Sequence, residues 1–116
     1  KEFNMKKIEV IIRPEKLESV QRALEKVGYS GLMISEIEGH GKQKGIVQQW
    51  RGEKYKVELL PKIKIEIIVK DDEVERIIKT IVDSAKTGEI GDGKIFISPV
   101  ENAVRIRTGE KGEQAI

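Results

Sequence analysis

The sequence predicts an α+β fold built from two β-α-β units, on three observations. Apolar and polar residues alternate over residues 7–13 and 57–70. Apolar stripes of helical period follow Pro14 and Asp71. A glycine-rich turn then separates the second helical stripe from a last strand at residues 94–100. Two such units joined through a long excursion make the split βαβ, or ferredoxin-like βαββαβ, plan: an antiparallel sheet with a long loop between strands 2 and 3.

In the first strand Ile8, Val10 and Ile12 share one face, while Glu9, Ile11 and Arg13 share the other. Pro14 stops it and suits a first helical turn. Leu17, Val20, Ala23, Leu24 and Val27 then recur at helical spacing until Gly28, a natural residue after a helix end. Gly31 releases the chain into a short strand at residues 32–37.

From Gly39 to about Lys56 the pattern dissolves into glycines, lysines and glutamines around Trp50 and Tyr55. Such a loop is unusually long for a small domain, and loops of this length are commonly functional or disordered.

The third strand is the clearest. It has Val57, Leu59, Ile63, Ile65, Ile67 and Val69 on one face against Lys62, Lys64 and Glu66 on the other, with Pro61 marking a bulge or the start of regular pairing. Asp71-Asp72-Glu73 crowds acid at a helix start, and Asp72-x-x-Glu75 has the form of a capping box. Val74, Ile77, Ile78, Ile81, Val82 and Ala85 are the buried stripe of that helix. After the last strand, Val104-Arg105-Ile106-Arg107 reads as a short strand-like piece with two arginines on one side, and the polar tail beyond Gly109 has little to bury.

Length and composition narrow the function. A chain of 116 residues suits one compact core, read as a single domain over 5–116, with residues 1–4 either a foreign remnant before a natural start at Met5 or an N-terminal extension. Charged residues are 36% of the chain, yet 22 Lys+Arg against 20 Asp+Glu leave +2, which argues against the one-signed basic stripe of a nucleic-acid binder. The absence of cysteine excludes disulfides and thiol chemistry, and His40, the single histidine, reads as a solvated loop residue. Neither a membrane-length apolar run nor a secretory leader is evident, so the reading is cytoplasmic.

The stretch Thr87-Gly88-Glu89-Ile90-Gly91-Asp92-Gly93-Lys94 is the strongest candidate for chemistry. Glycines let backbone N–H groups converge on an anion, and a lysine adds charge within reach of phosphate oxygens. Gly88-x4-Gly93-Lys94 fits the start of a P-loop, but Ile95 stands where Ser or Thr would hold Mg²⁺, and a strand follows instead of a helix. A plain helix-to-strand turn remains the alternative on local composition. Arg105 and Arg107 suit either phosphate or solvent. The sheet face left open by the helices should carry Ile11, Ile68 and Phe96 among Glu9, Lys62, Lys64 and Glu66, which is too apolar to leave wholly to water and predicts self-association.

Residues 5–116 resemble the PII nitrogen-regulatory signal proteins over their full length. The motifs are Met5-Lys6-Lys7-Ile8, Gly39-x-Gly41-x-Gln43-Lys44-Gly45, Arg51-Gly52-x-x-Tyr55, Leu60-Pro61-Lys62-x-Lys64-x-Glu66, Thr87-Gly88-x-Ile90-Gly91-Asp92-Gly93-Lys94-Ile95-Phe96 and Val104-Arg105-Ile106-Arg107-Thr108-Gly109. The resemblance implies a non-enzymatic homotrimer whose open sheet faces meet around the threefold axis, with ATP or ADP bound between subunits. The site would comprise Gly91, Asp92, Gly93 and Lys94, with Arg105 and Arg107 from the neighbour. Gly39, Gly41, Lys42 and Gln43, with Ile11, Lys62, Glu66, Ile68 and Thr87, would complete it.

The family's second effector is 2-oxoglutarate, which would be held by Gln43, Lys44, Gly45 and Lys62, with Mg²⁺ on Gln43. Two carboxylates beside a triphosphate repel one another, and a divalent cation with a nearby ammonium offsets that repulsion. The resemblance makes residues 41–59 the T-loop that contacts partners: nitrogen-assimilation enzymes or regulators, an ammonium transporter through Arg51, or a uridylyltransferase acting on Tyr55. Glu53 stands where some members carry a modified serine. Lys42, Met33 and Trp50 replace a frequent Arg, Thr and Tyr. A ferredoxin-like RNA-binding module is the competing reading, but its open face should display stacking aromatics, and here Phe96 stands almost alone. For an enzyme, no nucleophile sits beside an evident base.

Overall fold

The computed structural model describes residues 4–44 and 55–116, with 41–44 and 55–58 described by their backbone. The strands are β1 (Met5–Ile12), β2 (Met33–Lys44), β3 (Tyr55–Lys70) and β4 (Lys94–Val100); the helices are α1 (Leu17–Lys26) and α2 (Val74–Ala85). They form one antiparallel sheet in the order β2-β3-β1-β4, the ferredoxin-like arrangement that the two β-α-β units predict.

The alternation in β1 and β3 builds the core. Ile8 pairs with Ile67, Val10 with Ile65 and Ile12 with Ile63, which puts all six side chains on one sheet face. Val20 and Leu24 of α1 and Ile77, Ile81 and Ala85 of α2 are buried in the same cluster. Burial of each large aliphatic group contributes about 1.5–3 kcal/mol, so the cluster fixes which face each helix presents. Pro14 begins a 3₁₀ turn, Pro14–Lys16, that leads into α1.

At the other end of α1 the N–H of Tyr29 donates to the Leu24 carbonyl at 2.9 Å and that of Gly28 to Glu25 at 3.0 Å. With Gly28 at φ 99°, this closes the helix in a Schellman motif. Tyr29 then packs against the core and donates its hydroxyl to Glu73 at 2.8 Å.

Three local expectations are corrected. Both described ends of the loop read from Gly39 to Lys56 are paired strand: β2 runs to Lys44 and β3 starts at Tyr55, so Gly39 faces Leu60 and Gly41 faces Glu58. A ladder is made by backbone N–H and C=O groups, so it needs no apolar side-chain pattern. The register also runs straight through Pro61, opposite Glu38. β1 ends at Ile12, opposite Ile63, so Pro61 has a partner strand on one side only, where proline is tolerated. The same overhang leaves Leu59 52% exposed, though its alternation put it with the core residues.

The capping box is not formed. Asp71–Glu73 is a 3₁₀ turn and Glu73 becomes the residue before α2, without a side-chain cap. Asp71 instead pairs with Lys6 at 2.7 Å.

Third, residues 104–107 form a single bridge, Val104 to Lys111, and a turn in place of a strand. The Gly109 N–H donates to the Arg105 carbonyl at 2.7 Å, and Gly112 is buried, so the tail packs on the body. On the open sheet face Lys7 lies 2.6 Å from Glu66 and 3.7 Å from Glu9. The Lys7 ammonium holds the Glu66 carboxyl below its usual range, chiefly by the hydrogen bond. Met33 and Phe96 are each 53% exposed on that face.

Candidate functional site

Between α2 and β4 the glycine turn is organised by one carboxylate. Oδ2 of Asp92 accepts the N–H groups of Thr87 at 2.9 Å and Gly88 at 2.8 Å; Oδ1 accepts the Thr87 hydroxyl and the Nε–H of Arg13 at 3.1 Å. The Thr87 hydroxyl, assisted by the Thr87 and Gly88 amides and by Arg13, holds the Asp92 carboxyl far below the usual carboxylate range. Arg13 and Lys62 also grip the turn from outside: Arg13 Nη2 donates to the Ile90 carbonyl at 2.8 Å, and Lys62 Nζ to the Gly91 carbonyl at 2.9 Å. Gly91 and Gly93 have φ of 101° and 107°, values that side chains disfavour.

The turn is a wall between two grooves. One, of about 470 Å³, is lined by Ile11, Gly39, Lys62, Gly91, Asp92, Gly93, Lys94 and Phe96. The other, of about 560 Å³, is bounded by Arg13, Lys16, Leu60, Lys62, Thr87 and Gly91. Both lie in the size range of small-molecule sites. Lys62, Glu89 and Gly91 border both.

The nitrogen regulatory protein P-II family model matches residues 5–110, taking in the turn and both grooves. The chain belongs to the P-II family. It is 56% identical over 112 residues to nitrogen regulatory protein P-II 2 of Methanothermobacter thermautotrophicus, covering 97% of each chain. To nitrogen regulatory protein P-II of Azospirillum brasilense it is 55% identical, covering 97% of this chain and 100% of that one. The crystal structure of Arabidopsis thaliana PII bound to citrate superposes with a TM-score of 0.79 at 42% identity, over 98% of this chain and 94% of that one. P-II proteins are signalling regulators of nitrogen metabolism, and by family this chain is one, not an enzyme.

The residues assigned from the P-II resemblance do not all come together. Ile11, Gly39, Lys62, Gly91, Asp92, Gly93 and Lys94 come together on one groove. Asp92 and Thr87 do so with their polar atoms engaged with each other, and Thr87 borders the second groove. Glu66 and Ile68 sit farther along the open face of β3, with Glu66 bound to Lys7. Gly41, Lys42, Gln43 and Lys44 continue β2 away from Gly39, with Lys44 opposite Tyr55. Gly45, Trp50, Arg51 and Glu53 lie outside the described residues, as do positions 1–3.

Arg105 and Arg107 line neither groove; they follow β4, whose first residue is at the turn. Arg105 is engaged within its own chain, donating to Glu110 at 3.0 Å and to the Gln114 carbonyl at 3.0 Å. Between the two arginines Ile106 is 99% exposed. Sequence reasoning missed Arg13 as a site residue. Its one signal is position: Pro14 holds the preceding residue extended, at φ −65° and ψ 140°, at the point where β1 reaches the turn.

Proposed function

We propose that this P-II chain senses ATP or ADP together with 2-oxoglutarate, and passes the outcome to nitrogen-assimilation proteins through residues 41–59. The observation that carries the reading is the groove in which glycine backbone, Lys62 and Lys94 converge beside the foot of β2. Phosphates would lie along Gly91, Gly93 and Lys94, where backbone dipoles and an ammonium oppose their charge. Because β2 leaves that groove at Gly39 and runs directly to Lys44, a ligand there acts on the base of the partner-binding segment.

The active form is a homotrimer in this reading. Met33 and Phe96 on the open face and the almost fully exposed Ile106 support burial against other copies, and Arg107 would reach a neighbour's nucleotide. The dicarboxylic acid would be met by Lys62, with Gln43, Lys44 and Gly45. Citrate in the Arabidopsis relative supports a family preference for carboxylic acids. Mg²⁺ suits these donors in chemical type, since it takes oxygen ligands and commonly few from protein beside phosphates, and Gln43 offers a neutral amide oxygen. Gln43 would hold it, and bound there it offsets the repulsion between triphosphate and acid. Each effector acts only through its different affinity for the conformations of residues 41–59. Arg51 would contact an ammonium transporter and Tyr55 a uridylyltransferase, both in the cytoplasm.

Titration calorimetry with ATP tests the cradle. Lys94→Ala and Arg107→Ala should each weaken binding by roughly tenfold or more, as expected for lost charged hydrogen bonds. Unchanged affinity in both variants contradicts it.

A further inference from the structure

The geometry points to Arg13 as a positioning residue that sets the polarity of the turn, holding the Ile90 carbonyl away from the groove where phosphate would lie. This rests on the nucleotide reading above. A trans peptide is planar, with C=O and N–H pointing in opposite directions. Arg13 Nη2 takes the Ile90 carbonyl at 2.8 Å, and Arg13 borders the second groove, not the one that contains Lys94. The N–H of Gly91, on the same peptide, therefore points away from Arg13. Lys62, which borders both grooves, takes the next carbonyl, that of Gly91, at 2.9 Å, so the following peptide is pinned as well.

Glycine at φ 101° can adopt the reverse peptide orientation at little steric cost, so nothing in residue 91 itself prevents a flip. A flipped peptide would aim a carbonyl dipole at the bound anion. Arg13 opposes that flip from two sides at once, because its Nε simultaneously holds Asp92, on which the Thr87 and Gly88 amides are gathered. It is a fork of donors from the residue that follows strand β1, with no contact to the ligand required. The planar guanidinium meets both acceptors with one fixed fork; an ammonium, whose three donors share one atom, lacks that geometry.

The test is ATP titration of the full-length protein carrying Arg13→Gln or Arg13→Lys, with amide hydrogen exchange at Thr87 and Gly88 read in the same samples. Arg13→Gln is expected to weaken ATP binding by roughly tenfold or more and to speed exchange at both amides, with Arg13→Lys intermediate in each. A merely structural role would move the thermal midpoint without this graded order in affinity. Wild-type affinity in folded Arg13→Gln overturns the proposal and leaves the nucleotide reading standing. Should Arg13→Gln not fold, wild-type affinity in Arg13→Lys overturns it equally. Failure of the unaltered protein to bind ATP removes the nucleotide reading and the proposal with it.

Discussion

A Cβ placed on Gly93 would stand 1.7 Å from the carbonyl oxygen of Ile11 and 2.8 Å from its carbon. The turn therefore rests directly on the backbone of β1, and position 93 admits no side chain unless strand or turn moves. Gly93→Ala adds an unfavourable φ of 107° to that overlap, so stability should fall by at least about 2 kcal/mol. Urea denaturation at fixed protein concentration checks this. Gly88→Ala is the control, since its φ of 90° is similar but no atom lies within 4 Å of the added Cβ.

Asp92→Asn should destabilise the protein at neutral pH and not in acid. The folded carboxyl titrates well below its ordinary value of 3.8, so its contribution is fully present above that value and is lost as pH falls through the folded one. Denaturation midpoints of wild type and Asp92→Asn should differ at pH 7 and converge progressively below about pH 3.8. A constant gap across that range contradicts the assigned role.

The Tyr29 phenol is pushed from 10.0 up to about 12 by burial, then by its hydrogen bond to the Glu73 carboxylate. In Tyr55→Phe, where Tyr29 is the single tyrosine, ultraviolet titration should give a midpoint near 12, and adding Glu73→Gln should lower it. Since the folded value is raised, the phenol's stabilisation is complete below pH 10 and lost as pH climbs towards 12.

Arg105 and Arg107 should separate by readout. Arg105 binds Glu110 and the Gln114 carbonyl, so Arg105→Ala should loosen residues 101–116 and cost about 1 kcal/mol or less, the usual worth of an exposed pair. Arg107→Ala should leave stability unchanged and weaken ATP binding. Thermal melts and calorimetry on both variants make the comparison.

What the sequence made legible follows the reach of each interaction. Alternation in β1 and β3 named the core faces because burial selects side chains with period two. Gly28 and Pro14 marked the ends of α1 because backbone conformation restricts residue type locally. The ribbon of β2 beyond Gly39 was hidden, since its pairing to residues 55–60 uses backbone groups alone. Arg13 was hidden because its partner Asp92 lies 79 positions away, beyond any spacing rule. Asp92 itself was placed at the right loop, but its carboxylate faces inward to Thr87, Gly88 and Arg13, a choice only the folded turn displays.

Coupling between nucleotide and dicarboxylic acid is central, because Lys62 borders the groove proposed for the phosphates and is also the proposed partner of the acid. Calorimetry of 2-oxoglutarate in the presence and absence of Mg-ATP measures it directly. The account predicts saturable binding with Mg-ATP and at least about tenfold weaker binding without it, a coupling of about 1.4 kcal/mol or more. Equal binding in the two conditions would contradict it.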